Sequence, residues 1–152
     1  MKRRLVVLAL VAAACVPTPP APAAPRVAAT VDAPFAKAWE AAVDVFAERN
    51  ISIKTLDRAS GLIVAEAMKV GRNEGLAFAD CGSSPMAIPY YPTDATWNLV
   101  VRGDSARSTV KATVRFVSVT TGMGATSVEC TSKGVWESDL EQRLKAAAEA
   151  KK

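Results

Sequence analysis

The fold is decided by residues 96–120, which read TWNLVVRGDSARSTVKATVRFVSVT. Apolar and polar side chains alternate along 96–102 and again along 108–120, a period typical of strands with one buried face. The sequence GDS at 103–105 favours a turn between them. We therefore expect an antiparallel hairpin whose apolar face forms the centre of the core.

The pattern changes near the end of the second of these strands. Val117 and Val119 are both apolar, so the alternation slips after Phe116, and a β-bulge near Phe116 would account for the slip. A turn at 121–124 and a further strand at 126–132 follow. The sheet is therefore expected to continue for one more antiparallel strand.

A closing helix is predicted from about 135 to 150, because apolar side chains recur there at helical spacing. These side chains are Trp136, Leu140, Leu144 and Ala147. Ser138 and Glu141 have the spacing of a capping box, and an earlier start capped by Ser132 is the alternative. The apolar face of this helix is expected to pack on the sheet.

The first part of the domain also combines strands with a helix. Residues 26–31 alternate as a first strand, and Asp32 and Pro34 favour a helix start in which Asp32 is the cap. The apolar stripe of this helix consists of Phe35, Trp39, Ala42, Val43 and Phe46. Strands at 51–56 and 62–68 are separated by turn residues and are expected to pair as a second hairpin.

Between 70 and 95 no regular pattern holds, because glycine and proline interrupt the sequence repeatedly. A long loop in a compact domain is usually functional, mobile or held by a covalent link. This one contains Cys81, which fits a covalent link. Its apolar and aromatic residues make it the best candidate for a contact surface. The candidate contact residues are Phe78, Met86, Ile88, Tyr90 and Tyr91.

These elements follow in the order strand, helix, strand, strand, loop, strand, strand, strand, helix. Short links make the sheet antiparallel, and two helices with one apolar face each are expected to cover one side of it. We therefore predict a single α+β domain of the helix-grip type over residues 26–152, with about five to six strands in the sheet.

The N-terminal segment has the pattern of an export signal. Basic residues at 2–4 precede an apolar run at 5–14 that is too short to span a bilayer. The small residues before Cys15 resemble the lipobox of bacterial lipoproteins. That resemblance implies a signal peptide over 1–14 and, on Cys15, a thioether-linked diacylglycerol with a further acyl chain such as palmitate.

Residues 16–25 read VPTPPAPAAP and favour an extended tether that holds the domain up to about 30 Å from the bilayer. Val16 stands where lipoproteins retained at the inner membrane have Asp, so the resemblance implies an outer-membrane anchor on the periplasmic side. The alternative is an ordinary secretory signal cut after 21–23, which would remove Cys15 and leave a soluble periplasmic or secreted protein.

Composition argues against several function classes. The sequence has no histidine, which excludes Ser-His-Asp and Cys-His catalysis and histidine-containing zinc sites. The net charge of +4 comes mostly from residues 2–4, without which 16 basic residues face 15 acidic ones. Because these charges are scattered and of mixed sign, no nucleic-acid surface is expected.

No cofactor or metal site is predicted, and we expect no enzymatic activity. The one group of carboxylates worth weighing for catalysis consists of Glu66, Glu74 and Asp80. Their more ordinary role is that of a strand-edge charge and two solvated loop charges.

The three cysteines are an odd number. If Cys15 is acylated, Cys81 and Cys130 remain, and export places them in an oxidising compartment. We expect a disulfide between them, which closes a loop of about 50 residues and contributes about 4 kcal/mol in the chain-entropy model. A buried thiol pair and a redox site are the alternatives, and no Cys-x-x-Cys spacing supports a redox site.

Three stretches together resemble small envelope lipoproteins with helix-grip domains, similar to the C-type lipoprotein of the outer-membrane barrel-assembly machinery. They are 31–66, the DCG at 80–82, and 129–144. The resemblance covers 27–144 and its motifs are structural, such as a core aromatic at Trp39. It does not imply membership in that machinery, because that lipoprotein has two such domains and a long unstructured N-terminal region.

Two functions follow from this sequence. The first is a non-catalytic envelope module that is anchored to the membrane by lipid and binds another envelope protein or supports an assembly. The second is a carrier of a lipid or small apolar ligand between the sheet and the C-terminal helix. A cavity lined by Trp39, Phe46, Trp97 and Leu140 would favour the carrier, whereas a filled core with an exposed apolar patch would favour the binding module.

Overall fold

The computed structural model describes residues 16–121 and 126–150. The predicted signal peptide at 1–14, the predicted lipidation residue Cys15 and most of the predicted turn at 121–124 lie outside the described residues. Within them the chain forms three helices and eight strands.

The first half of the described chain contains β1 (Ala29–Val31), α1 (Phe35–Glu48), β2 (Ile53–Asp57), β3 (Leu62–Ala65) and β4 (Met68–Lys69). The second half contains α2 (Arg72–Phe78), β5 (Ala79–Asp80), β6 (Asp94–Gly103), β7 (Ser108–Thr120), β8 (Thr126–Ser132) and α3 (Val135–Ala150). The short elements α2 and β5 lie in the stretch for which the sequence predicts no regular structure.

The strands form one antiparallel sheet in the order β2-β3-β6-β7-β8-β5. Its centre is the predicted hairpin, in which β6 pairs with β7 along the whole of Asp94–Gly103. β4 pairs with the same edge of β6 as β3, at a different position along the strand. β1 likewise pairs with the same edge of β7 as β8. The predicted α+β class and antiparallel sheet are confirmed, and the described strands number eight rather than five or six.

The core lies on one face of this sheet. α1 and α3 pack against each other, α1 against β6 and α3 against β7. Trp39 and Phe46 of α1 meet Leu140 of α3 and Trp97 of β6 in a single cluster of buried side chains. The four residues that were candidates for a cavity lining are therefore all core residues.

The predicted β-bulge near Phe116 is wrong. Buried positions continue at every second residue through Phe116 to Ser118, and the pairing of β7 with β6 and β8 has no shift at this point. A serine takes the inward position, while Val119 is exposed. The apolar residue that suggested a slip therefore faces outward, where it lines a groove described below.

The helix caps predicted at Asp32 and at Ser138 with Glu141 are wrong. The alternative, an earlier start of the closing helix at Ser132, agrees with the structure: α3 begins at Val135, and the Ser132 hydroxyl accepts a hydrogen bond from the Gly134 N–H at 3.0 Å. Pro34 precedes α1 and no side chain caps this helix, while Asp32 forms an ion pair with Arg107 at 3.2 Å. Ser138 and Glu141 lie inside α3, where both accept hydrogen bonds from Arg26. Asp32, Ser138 and Glu141 instead bind partners that are distant in the chain, and sequence spacing cannot reveal such partners.

The segment 16–25 does not have the conformation of a free spacer. The backbone N–H of Ser83 donates to the Thr18 carbonyl at 3.0 Å, and the Ala21 N–H donates to the Asp80 carboxylate at 3.0 Å. Within the part of the chain that the structure describes, no helix combines the length and apolar character needed to cross a bilayer.

Candidate functional site

The contact loop, defined here as residues 82–93, follows β5 at one edge of the sheet. β5 pairs with β8, so that Ala79 lies opposite Ser132. The predicted disulfide between Cys81 and Cys130 is confirmed and joins the start of the contact loop to β8. The loop is therefore fixed to the sheet by a covalent link as well as by strand pairing.

The first part of the contact loop folds into a short hairpin. The Ala87 N–H donates to the Ser84 carbonyl at 2.9 Å, and the Ser84 N–H donates to the Ile88 carbonyl at 2.9 Å. Pro85 takes the second position of the turn, where its fixed φ is favourable. Ala87 adopts a φ of +57°, a left-handed conformation that alanine rarely adopts. The hairpin leaves Met86 at its tip, 78% exposed.

The second part of the contact loop returns to the sheet through backbone hydrogen bonds. The Tyr90 N–H donates to the Gly82 carbonyl at 3.0 Å, and the Thr93 N–H donates to the Val117 carbonyl at 2.8 Å. The Thr93 hydroxyl accepts a hydrogen bond from the Val119 N–H at 3.0 Å. Both ends of the loop are thus bonded to the body of the domain.

A surface groove of about 390 Å³ lies between the contact loop, the start of α2 and the end of β7. Its lining is mostly apolar and aromatic. The lining residues are Val70, Arg72, Ser84, Met86, Ile88, Pro89, Tyr90, Tyr91, Pro92, Thr93, Ser118, Val119 and Thr120.

α2 packs closely on the contact loop, and its first residue, Arg72, lines the groove. A Cβ at Gly75 would lie only 2.4 Å from Cγ of Pro92, so only glycine permits the helix to approach this closely. The Arg72 guanidinium lies over the Tyr91 ring, 4.9 Å from its centroid, in a cation–π contact. The groove therefore has a positive charge at an aromatic wall.

Ser118 is a buried polar residue beside the groove, at an inward position of β7. Its side chain is buried, and its hydroxyl has no hydrogen-bond partner within residues 16–121 and 126–150. A buried hydroxyl without a partner costs free energy unless a ligand or water supplies the missing hydrogen bond.

Four of the five candidate contact residues come together in this groove: Met86, Ile88, Tyr90 and Tyr91. The fifth, Phe78, lies elsewhere. Its ring packs on Trp136 with 4.6 Å between centroids, and Trp136 in turn stacks on Trp97. Phe78 is thus a partly buried residue of the core and does not line the groove.

The carboxylates weighed for catalysis do not form a joint site. Glu66 and Glu74 are exposed. The Asp80 carboxylate accepts hydrogen bonds from the backbone N–H groups of Ala21 and Gly82, and these lower its pKa from the usual value. Nowhere in the described ranges do three Asp, Glu, Cys or His side chains approach closely enough to hold a metal ion.

A second polar site, on α3, was not expected from the sequence. The sheet has a gap on the outer edge of β7, because β1 pairs only as far as Val110 and β8 pairs only from Phe116 onward. The N–H groups of Ala112 and Val114 in this gap donate to Glu141 Oε1 at 2.9 Å and Glu137 Oε1 at 3.3 Å. Two glutamates thus replace the missing strand.

These two glutamates are buried, with 2% of Glu137 and 6% of Glu141 exposed. The Arg26 guanidinium compensates the charge of Glu141 at 2.8 Å and also donates to the Gly134 carbonyl. The sequence signal was present, since positions 137 and 141 lie one turn apart beside the apolar stripe that contains Leu140. Without knowledge of the gap, such glutamates are expected to be solvated.

Comparison with known proteins adds no relative: no protein-family model and no curated protein matches this sequence.

Proposed function

We propose that this protein is a non-catalytic envelope lipoprotein, anchored to the membrane through Cys15, that binds another envelope protein or supports an assembly through the groove beside the contact loop. The observation that carries the proposal is the groove itself, which is open, mostly apolar and held in place by the Cys81–Cys130 disulfide. An ordered apolar surface on an exposed loop is typical of a site that another molecule covers.

The lining of the groove suits a protein partner. Tyr, Met and Arg are enriched at the centres of protein interfaces, and this groove contains Tyr90, Tyr91, Met86 and Arg72. A short apolar segment with a polar or acidic end would match these groups.

The lipid anchor and the location are supported by the sequence before the domain. Residues 2–4 are basic, 5–14 are apolar and small residues precede Cys15, in the order of a lipoprotein signal. A disulfide between the two other cysteines agrees with an oxidising compartment. We therefore propose a location on the periplasmic side of the outer membrane, as the residue after Cys15 implies by its resemblance to lipoprotein sorting signals.

The fold and the core support a binding module over a carrier or an enzyme. We propose that the sheet with α1 and α3 on one face is of the helix-grip type, as in the envelope lipoproteins that the sequence resembles. Trp39, Phe46, Trp97 and Leu140 are packed into the core and do not line the groove, so the interior position expected for a carrier's ligand is filled by side chains. The absence of histidine argues against most hydrolytic chemistry.

Site-specific photo-crosslinking in intact envelopes tests this proposal. A photoreactive amino acid replaces Tyr91 in the groove, and in the control it replaces Thr113, which lies on the exposed face of β7. We expect a defined cross-link to one envelope protein from position 91 only, and its loss when Val119→Glu places a charge in the groove. Identical products from both positions, or lipid alone cross-linked at 91, would contradict the proposal.

A further inference from the structure

The N-terminal segment is fixed to the domain beside the contact loop. Ser83 pairs with Thr18 on one side and with Pro89 on the other, so Thr18 extends the small hairpin of the loop by one strand-like contact. Gly82 has a φ of +70°, and a Cβ there would lie 2.2 Å from the Thr18 carbonyl oxygen. The Asp80 carboxylate holds Ala21 a few residues further on. The N-terminal segment is therefore attached to the domain from Thr18 onward.

Thr18 is only three residues after Cys15. An extended chain spans at most about 3.6 Å per residue, so the three-residue connection between Thr18 and Cys15 can span no more than about 11 Å. Acyl chains on Cys15 must be in the bilayer, and the surface of that bilayer must then pass close to Thr18. The hairpin paired with Thr18 is accordingly brought to the membrane.

The surface presented there is apolar. Val16 is 71% exposed, Met86 is 78% exposed and Ile88 is 55% exposed. The contact loop contains no Asp, Glu, Lys or Arg between Gly82 and Thr93. Transfer of apolar side chains from water to hydrocarbon lowers their free energy, and no charged side chain in the loop opposes that transfer.

The neighbouring residues suit the interface between lipid and water. Tyr90 and Tyr91 are half-buried beside the apolar tip, and tyrosine is favoured at the level of lipid headgroups. Arg72, over the Tyr91 ring, offers a cation to phosphate groups at that level.

We propose that Val16, Met86 and Ile88 enter the same leaflet as the acyl chains of Cys15, so that the contact loop is a second membrane contact beside the lipid anchor. This inference rests on the lipid anchor of the proposed function. The domain then lies against the bilayer instead of about 30 Å away from it. Met86 and Ile88 are in the leaflet, and a protein partner at the membrane surface contacts the rest of the groove, from Tyr91 to Val119.

Quenching by brominated lipid tests the depth of the loop. Met86→Trp is made in the full lipidated protein, which is reconstituted into phosphatidylcholine vesicles with or without bromine on the acyl chains. Trp39 and Trp97 are buried and Trp136 is half-buried, so the unsubstituted protein supplies the background emission. We expect the added emission to fall at least twofold in brominated vesicles.

The matched control is Leu56→Trp. Leu56 is also an exposed apolar residue, at 52% against 78% for Met86, but it lies on β2, at the opposite edge of the sheet from β5. Its added emission is expected to be the same in both kinds of vesicle. Equal emission of Met86→Trp in both, or equal quenching of the two variants, would overturn the inference.

Mass analysis and flotation of the same samples separate this inference from the proposed function. If Cys15 is acylated and the protein floats with the vesicles but Met86→Trp is not quenched, the anchor stands and the second membrane contact is refuted. If Cys15 is absent or unmodified, the proposed function fails and the inference fails with it.

Discussion

Two regions of this domain depart from the usual arrangement of charged and apolar residues, in opposite directions. On α3, Glu137 and Glu141 are 2% and 6% exposed. On the contact loop, Met86 and Ile88 are 78% and 55% exposed. Charged residues are thus inside and large apolar residues are outside in the same small domain.

The two departures have different explanations. The buried glutamates have partners within the chain, because they accept the N–H groups of Ala112 and Val114 and Glu141 pairs with Arg26. The exposed residues of the contact loop are covered by nothing in the described chain, although the loop is fixed at both ends. A role in stability accounts for the first region, whereas the second calls for a partner or a membrane.

Removal of the disulfide is expected to have the largest effect, and to act mainly on the contact loop. The double variant Cys81→Ser/Cys130→Ser loses the link between residues 49 positions apart, with an expected loss of about 4 kcal/mol in the free energy of unfolding. Urea denaturation measures this loss, and reduction of the unsubstituted protein is the matched control. Amide exchange should rise more in 82–93 than in α3, and an equal rise in both would remove the distinction between the two regions.

Glu141→Ala is expected to destabilise the α3 region by about 3 kcal/mol, because it leaves the Ala112 N–H and the largely buried Arg26 without their shared partner. Glu129→Ala is the control, since its pair with Arg115 is exposed on both sides and is worth at most about 1 kcal/mol. Urea denaturation of both variants tests the contrast. Similar losses would mean that Glu141 is not the substitute for a missing strand.

The attachment of the N-terminal segment is expected to depend on pH through Asp80. The N–H groups of Ala21 and Gly82 lower the pKa of Asp80. A carboxyl whose pKa is lowered by folding stabilises the attached state above its usual pKa and loses that contribution as the pH falls through the lower folded value. The segment should therefore be attached at pH 7 and loosen below about pH 4.

The chemical shift of the Ala21 amide proton, followed by NMR from pH 7 to pH 2, measures this attachment. Asp80→Asn should loosen the segment already at pH 7 and flatten its pH dependence. Asp57→Asn is the control, because Asp57 also has a lowered pKa but is hydrogen-bonded to Ser60 in a different turn. A pH-independent Ala21 signal in the unsubstituted protein would refute the role of Asp80.

The smallest effect is expected at Ala87, whose φ of +57° strains the hairpin of the contact loop. Ala87→Gly relieves the strain, and after the entropic cost of glycine we expect a gain of about 0.5 kcal/mol. Asn50→Gly is the matched control, because Asn50 has a φ of +52° and asparagine tolerates this conformation. Thermal unfolding should show a higher Tm for Ala87→Gly than for Asn50→Gly, and the opposite order would contradict the strain.

Alternation and cysteine count were sufficient to predict the centre of the fold. The strands 96–102 and 108–120, the closing helix and the disulfide all follow from local pattern or from simple chemistry. The apolar and aromatic character of the irregular stretch suggested Met86, Ile88, Tyr90 and Tyr91 as contact residues, and these do line one groove.

What sequence could not supply were contacts between distant segments. The gap in the pairing of β7 decides the role of Glu141, and Phe78 joins the core only because Trp136 lies next to it. The short helix α2 was not predicted because it contains Gly75, and glycine is a weak helix former. Glycine is required at this position because Pro92 packs against it. In each case the deciding partner lies far along the chain.

The anchor, the compartment and the second membrane contact all depend on the proposed lipid on Cys15. Intact mass spectrometry of the protein extracted from membranes tests it directly. We expect a chain that begins at Cys15 and has the added mass of a diacylglycerol and a further acyl chain. A chain that begins near Ala24 and has no added mass would contradict it.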